Sequence, residues 1–91
     1  MYQYEIKPFL QKILKRLFKK DKPTLERIIK KVEEIINSNS INHYKNLRHN
    51  MKDCKRVHIG HFVLVFSFDE SRNLISFEDF DHHDNIYKKK F

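Results

Sequence analysis

A change of hydrophobic period near Ile41 predicts an α+β domain. Before it, apolar residues recur at helical spacing in two stretches parted by Asp21-Lys22-Pro23, and one short alternating stretch precedes them. After it, apolar and polar residues alternate at period two. A chain of 91 residues has room for one core, so a single domain over residues 1–91 is expected. Its predicted order is β-α-α-β-β-β-β: an N-terminal strand, a helical hairpin, then a four-stranded antiparallel meander packed on the helices.

Tyr2, Tyr4 and Ile6 alternate with Gln3, Glu5 and Lys7, the pattern of a half-buried strand that Pro8 ends. Phe9, Leu10, Ile13, Leu14, Leu17 and Phe18 form a helical stripe running to about Lys20. Pro23 suits the first turn of a second helix, whose face is Leu25, Ile28, Ile29, Val32, Ile35 and Ile36. Asn37-Ser38-Asn39-Ser40 reads as the loop that ends it. Strands are then expected at residues 44–47, 56–59, 62–68 and 74–80, with turns at Gly60-His61 and residues 69–73. Phe62-Val63-Leu64-Val65-Phe66 is apolar on both faces and marks the central strand. The hairpin covers one face of it, and a partner is the expected cover of the other. A last helical turn is expected at residues 85–90.

Composition removes several classes. Cys54 is the only cysteine, which excludes an intramolecular disulfide and a zinc ribbon and points to a reducing compartment. No apolar run approaches the roughly 18 residues of a membrane span, and residues 1–7 lack the apolar core of a signal peptide, so a cytoplasmic protein with no membrane partner is expected. The net charge of +7 points to a polyanionic partner. Its distribution is uneven: residues 7–31 hold ten Lys/Arg against two acids, residues 45–58 five against one, and residues 59–87 one against six. Such segregation gives a small domain one basic side able to face phosphates.

Arg56 and His58 lie two apart on a predicted strand and therefore share a face, with Val57 and Ile59 turned to the core. Taken alone, such a pair is also what a solvated edge strand shows. His82, His83 and Tyr87 form a second cluster, for which an exposed turn and packing of the terminal segment are the plain alternatives. His58, His61, His82, His83 and Asp81 are of metal-ligating type. Adjacent histidines at a strand end point in opposite directions, however, and no HxxxH helix or cysteine partner accompanies them, so no metal and no cofactor is expected.

Four segments carry a resemblance to a known family. Leu47-Arg48, the run Asp53-Cys54-Lys55-Arg56-Val57-His58-Ile59, the run Gly60-His61-Phe62-Val63-Leu64-Val65-Phe66 and the run Asp81-His82-His83-Asp84-Asn85-Ile86-Tyr87 follow one another in this order. They resemble the Leu-Arg-Gly start, the basic alternating strand, the Gly-x-Tyr-Arg-x-x-Tyr strand and the Gly-His-Arg-x-x-Val-Tyr end of the RelE branch of the RelE/ParE toxin superfamily. The resemblance implies a RelE-like toxin that cleaves messenger RNA in the ribosomal A site without metal and is neutralised by a cognate acidic RelB-like antitoxin.

By the same resemblance Arg56 stabilises charge at the scissile phosphate and His58 acts as base or charge stabiliser. His83 takes the position of a transition-state arginine, and Tyr87 that of an aromatic residue that stacks on a base or helps proton transfer. Arg48, Lys52, Lys55 and His82 are the expected RNA contacts. Val63 stands where the family has a further catalytic arginine, Asp81 replaces a glycine, and no arginine follows Arg72. The alternatives are a ParE-like toxin directed at DNA gyrase and a basic RNA- or protein-binding module without chemistry.

Overall fold

The computed structural model describes residues 1–48 and 54–89. Strand β1 (Gln3–Ile6) leads into helices α1 (Pro8–Lys20) and α2 (Lys22–Ile36) and a 3₁₀ turn at Ile41–His43. Strands β2 (Cys54–Ile59), β3 (Phe62–Asp69) and β4 (Leu74–His82) follow, and α3 (His83–Ile86) closes the described chain. The strands form one sheet in the order β1-β4-β3-β2. The last three make the expected antiparallel meander, while β1 lies parallel to β4 at the far edge. None of the described helices is long and apolar enough to cross a membrane.

Local chemistry places the hairpin. Pro8 opens α1, where its missing N–H costs nothing. Asp21 does two jobs: its N–H donates to Leu17 O (2.7 Å), ending α1, and its carboxylate accepts from the Thr24 N–H (3.2 Å) and hydroxyl (2.7 Å), capping α2. Leu10, Ile28, Ile35 and Ile36 then pack on Ile59, Leu64, Phe66, Ile75, Phe77 and Phe80 of the sheet. A bulge in the β3–β4 ladder, where Val65 pairs with Asp79 and Phe66 with Phe77, leaves Glu78 unpaired. The extra residue shifts the alternation, so that Phe77 and Phe80 both face this core.

Two expectations change. The strand expected at residues 44–47 shrinks to one antiparallel bridge, Asn46 to Lys55, with the Leu47 N–H on Cys54 O and the Arg56 N–H on Lys45 O. The chain bends there because the 3₁₀ turn buries Ile41 and the Tyr44 ring stands edge-on to Phe66 at 5.6 Å. The fourth strand of the sheet is β1 instead.

The outer face of the sheet, expected to await a partner, is covered by the chain itself. Ile86 of α3, fully buried, joins Leu47, Cys54, Val63 and Val65 in a second apolar cluster. Helix α3 begins two residues earlier than the expected turn because His82 Nδ1 accepts the Asp84 N–H (3.2 Å) and so caps it. Burial raises the Cys54 thiol, with Glu78 adding and Arg48 opposing, to about 11, leaving it a packing residue.

Polar bonds fasten this cover. Lys89 Nζ lies 2.7 Å from the nearly buried Asp79 carboxylate and 3.1 Å from Asp81. Arg48 Nη2 donates to the carbonyls of Tyr87 (2.6 Å) and Lys89 (2.7 Å). Burial works against the Asp81 carboxylate, yet bonds from Asn85, the His82 N–H and Lys89 hold its pKa below the ordinary value. Burial likewise opposes the Lys89 cation, and Asp79 and Asp81 outweigh it and raise its pKa. A lowered carboxyl pKa contributes stability above its unfolded value that is lost as pH falls through the folded one. A raised lysine pKa contributes stability that is lost only as pH rises through the folded value, so the fastening holds across neutral pH.

Ile86→Ala is therefore expected to cost about 2–4 kcal/mol in urea unfolding, because a fully buried apolar side chain leaves a cavity. A loss below about 0.5 kcal/mol, the range of a neutral surface change, would show that α3 does not hold the outer face.

Candidate functional site

Strand β2 presents Arg56 and His58 together on the outer face, as the alternation predicts, while Val57 packs on the main core and Ile59 is buried in it. Arg56 Nη1 lies 3.1 Å from His58 Nε2. A guanidinium can only donate, so Nε2 accepts and the neutral ring carries its proton on Nδ1. Burial, then Arg56, His83 and Lys45 in that order, push the His58 pKa below its ordinary value. The ring is accordingly neutral at neutral pH and able to take a proton. Arg56 Nε is buried with no hydrogen-bond partner among the described residues, so the bond from Nη1 to His58 is what orients the guanidinium.

His83 comes to the same place from the other end of the chain. Its N–H donates to His61 O (3.0 Å), which ties the start of α3 to the β2–β3 turn, and its charge is felt by His58. Tyr87 lies one turn further on; its N–H donates to His83 O (3.3 Å), and the residue is 39% exposed. His82 belongs to an aromatic group: its ring is 4.4 Å from that of His83, 6.3 Å from His61 and edge-on to Phe62 at 5.7 Å. Phe62, itself 40% exposed, stacks on Phe80 at 5.2 Å.

The expected RNA contacts divide. Lys55 is 6% exposed and spends its ammonium on Tyr44 O (3.3 Å) and Asn46 Oδ1 (2.9 Å), fixing the bridge beside β2; it is not available to a ligand. The reason is the same alternation that turns Arg56 outward, since Lys55 pairs with core-facing Phe66. Arg48 fastens the C-terminal turn. Lys52 lies outside the described residues.

Three cations were not singled out by the sequence. Arg27, Lys30 and Lys31 of α2 line a hollow of about 250 Å³ together with Glu34, His58, Ile59 and Gly60. Gly60 turns the chain at φ +63°, and a Cβ built there would meet the Arg27 guanidinium at 3.5 Å. The basic surface of α2 thus runs up to His58 rather than standing apart from it. Helical spacing marks these residues only as one polar face; the sheet order is what brings them to the end of β2. Lys45, whose carbonyl holds the Arg56 N–H, is a fourth such residue.

A neutral imidazole, a guanidinium and a second imidazole, with the cations of α2 alongside, can accept a proton and stabilise an anion, and the exposed Tyr87 ring can receive a stacked base. Comparisons with known proteins place the chain in this context. Residues 4–87 match the family described as the ParE toxin of type II toxin–antitoxin systems, parDE. The toxin candidate RelE4 of Methanocaldococcus jannaschii is 58% identical over 91 residues, covering 99% of this chain and 95% of that protein. An uncharacterised Methanosarcina mazei protein is 47% identical over 88 residues, covering 96% of this chain and 100% of that protein.

Among solved structures, the intact E. coli RelBE toxin–antitoxin complex superposes with a TM-score of 0.73 at 18% identity, covering 90% of this chain and 96% of that one. Isolated E. coli RelE gives 0.68 at 19%, covering 90% and 84%. The sheet, hairpin and C-terminal turn described above are the RelE fold. The family match over nearly the whole chain and the identity to RelE4 establish that this protein belongs to the RelE/ParE superfamily, as the toxin of a type II toxin–antitoxin system.

Proposed function

We propose that this toxin is a metal-independent endoribonuclease that cleaves messenger RNA in the ribosomal A site and acts in the cytoplasm. The observation that carries the reading is the meeting of Arg56, His58 and His83 at one edge of a continuous basic surface. In the reaction the 2′-hydroxyl gives its proton to His58, O2′ attacks phosphorus, and the bond from phosphorus to O5′ breaks. A protonated histidine, His83, gives the leaving oxygen a proton, which yields a 2′,3′-cyclic phosphate and a 5′-hydroxyl. Arg56 binds the phosphorane oxygens. Before substrate arrives the Arg56 guanidinium occupies the His58 lone pair; a phosphate that draws the guanidinium to itself frees Nε2 to act as base. The exposed Tyr87 offers a ring for a base to stack on.

The proposed partner is an acidic RelB-like antitoxin, in keeping with the net charge of +7 and with the toxin–antitoxin complexes among the structural neighbours. A groove of about 330 Å³ between Phe9, Ile13 and Leu17 of α1 and Phe62 and Phe80 of the sheet, rimmed by Lys12, Arg16 and the paired Lys89 and Asp81, suits one amphipathic acidic helix of it. The family description favours one other reading, a ParE-like toxin directed at DNA gyrase. Cuts within A-site codons of a translated message, read by primer extension under controlled expression, separate the two, since a gyrase poison leaves messages whole.

In that assay Arg56→Ala is expected to lower cleavage by at least about 100-fold, as loss of a charge-stabilising donor does, and to abolish growth arrest while the antitoxin still co-purifies. Undiminished arrest would remove Arg56 from the site. The cleavage rate should fall as pH drops through the lowered pKa of His58, below the ordinary imidazole range. His58→Gln should erase that acidic limb, and a limb that persists in the variant would assign the base elsewhere. Phe9→Asp should weaken antitoxin capture at least about tenfold by placing a buried like charge against an acidic helix, with growth arrest retained; unchanged capture would place the antitoxin outside the groove.

A further inference from the structure

The break between β4 and α3 gathers three metal-ligating side chains that the strand pattern sets apart. His82 is the last residue of β4 and His83 the first of α3, so the change of backbone direction brings both rings to one side of the chain, 4.4 Å apart. His83 Nδ1 lies 3.0 Å from Asp84 Oδ1, and His82 Nδ1 3.6 Å from Asp84 Oδ2. One donor atom from each of the three residues falls within 4.8 Å of the others. Donors held about 2.1 Å from a tetrahedral ion stand about 3.4 Å apart. The two imidazole-to-carboxylate distances are near that length but run to different oxygens of Asp84, so an ion held by all three residues needs a small rotation of that carboxylate.

The arrangement is short of a cation. His82 Nδ1 accepts the Asp84 N–H, so it carries a lone pair and no proton there, yet it faces a carboxylate oxygen that is also an acceptor. A divalent ion there takes the single Nδ1 lone pair over from the Asp84 N–H, exchanging the cap of α3 for a ligand bond, and relieves the two opposed acceptors. The side chains are 37%, 42% and 67% exposed, which leaves entry and a fourth position open to water or a phosphate oxygen. Two imidazoles and a carboxylate suit late first-row divalent ions rather than magnesium or calcium.

We propose that His82, His83 and Asp84 form a binding site for a late first-row divalent cation, zinc being the representative ion, and that occupancy switches the toxin off by engaging His83. The second half rests on the cleavage reading; binding itself does not, and is measured separately. Calorimetric titration of the untagged full chain with zinc chloride is expected to show one ion per chain with a Kd on the order of micromolar. Asp84→Asn and His82→Gln should each weaken it by about tenfold or more, with thermal melts reporting whether each variant is folded. Cobalt(II) added to the wild-type chain should develop the visible absorption of a four-coordinate ion, a readout that needs no variant. No heat at millimolar zinc, wild-type affinity in a folded variant, or a purely octahedral cobalt spectrum would each overturn the site. Zinc that binds as expected but leaves message cleavage untouched overturns the switch alone.

Discussion

The seat of the C-terminal turn on the outer face of the sheet is the constraint on which the rest of this toxin depends. Lys89 sits between Asp79 and Asp81, and Arg48 holds the Tyr87 and Lys89 carbonyls, while Ile86 fills the apolar hollow over Val63 and Val65. Asp79 is nearly buried, so without the lysine its charge would keep only the Phe80 N–H (2.7 Å) and no counter-ion, which is costly. The turn cannot drift while that pair is made. Its position sets His83 beside His58, two strands away, and folds His82, His83 and Asp84 into one cluster. An active surface is thereby assembled from the two ends of the meander.

The same fastening explains how a chain with a strongly acidic stretch can show a basic surface. Of the acids in residues 59–87, Asp79 and Asp81 face Lys89, and Glu78 accepts from the Ser67 hydroxyl. Their charge is spent on internal bonds. Of the cations of α2, Lys31 pairs with exposed Glu34 (3.1 Å), and Arg27, Lys30 and Lys31 lie along the hollow beside His58, where they suit the proposed salt-dependent attraction for RNA. The basic face of α2 and the reacting groups therefore belong to one surface.

Much of this was legible in the sequence, for reasons that can be named. The switch of period at Ile41, the Asp21-Lys22-Pro23 restart and the alternation around Arg56 and His58 are local signals, and local signals survive folding. Tyr44 to Leu47 misled because a β-like composition was spent on burying Ile41 and Tyr44 at a bend. Lys55 shows a pattern applied by halves: the alternation that faces Arg56 outward also faces its neighbour inward. The strand rule for adjacent histidines failed at His82 and His83 because the strand ends between them. The cover supplied by Ile86 and the approach of Arg27, Lys30 and Lys31 to Gly60 depend on sheet order, which no local pattern carries.

Strand β2, the start of α3 and the middle of α2 make the proposed RNA-binding surface. Amide chemical-shift mapping with a short single-stranded RNA whose 2′-hydroxyls are methylated, and which therefore cannot be cleaved, tests it directly. Shifts are expected at Arg56, His58, Gly60 and His83 together with Arg27, Lys30 and Lys31, weakening jointly as salt is raised. Shifts confined to α1 and β1, or to α2 without β2 and α3, would contradict it.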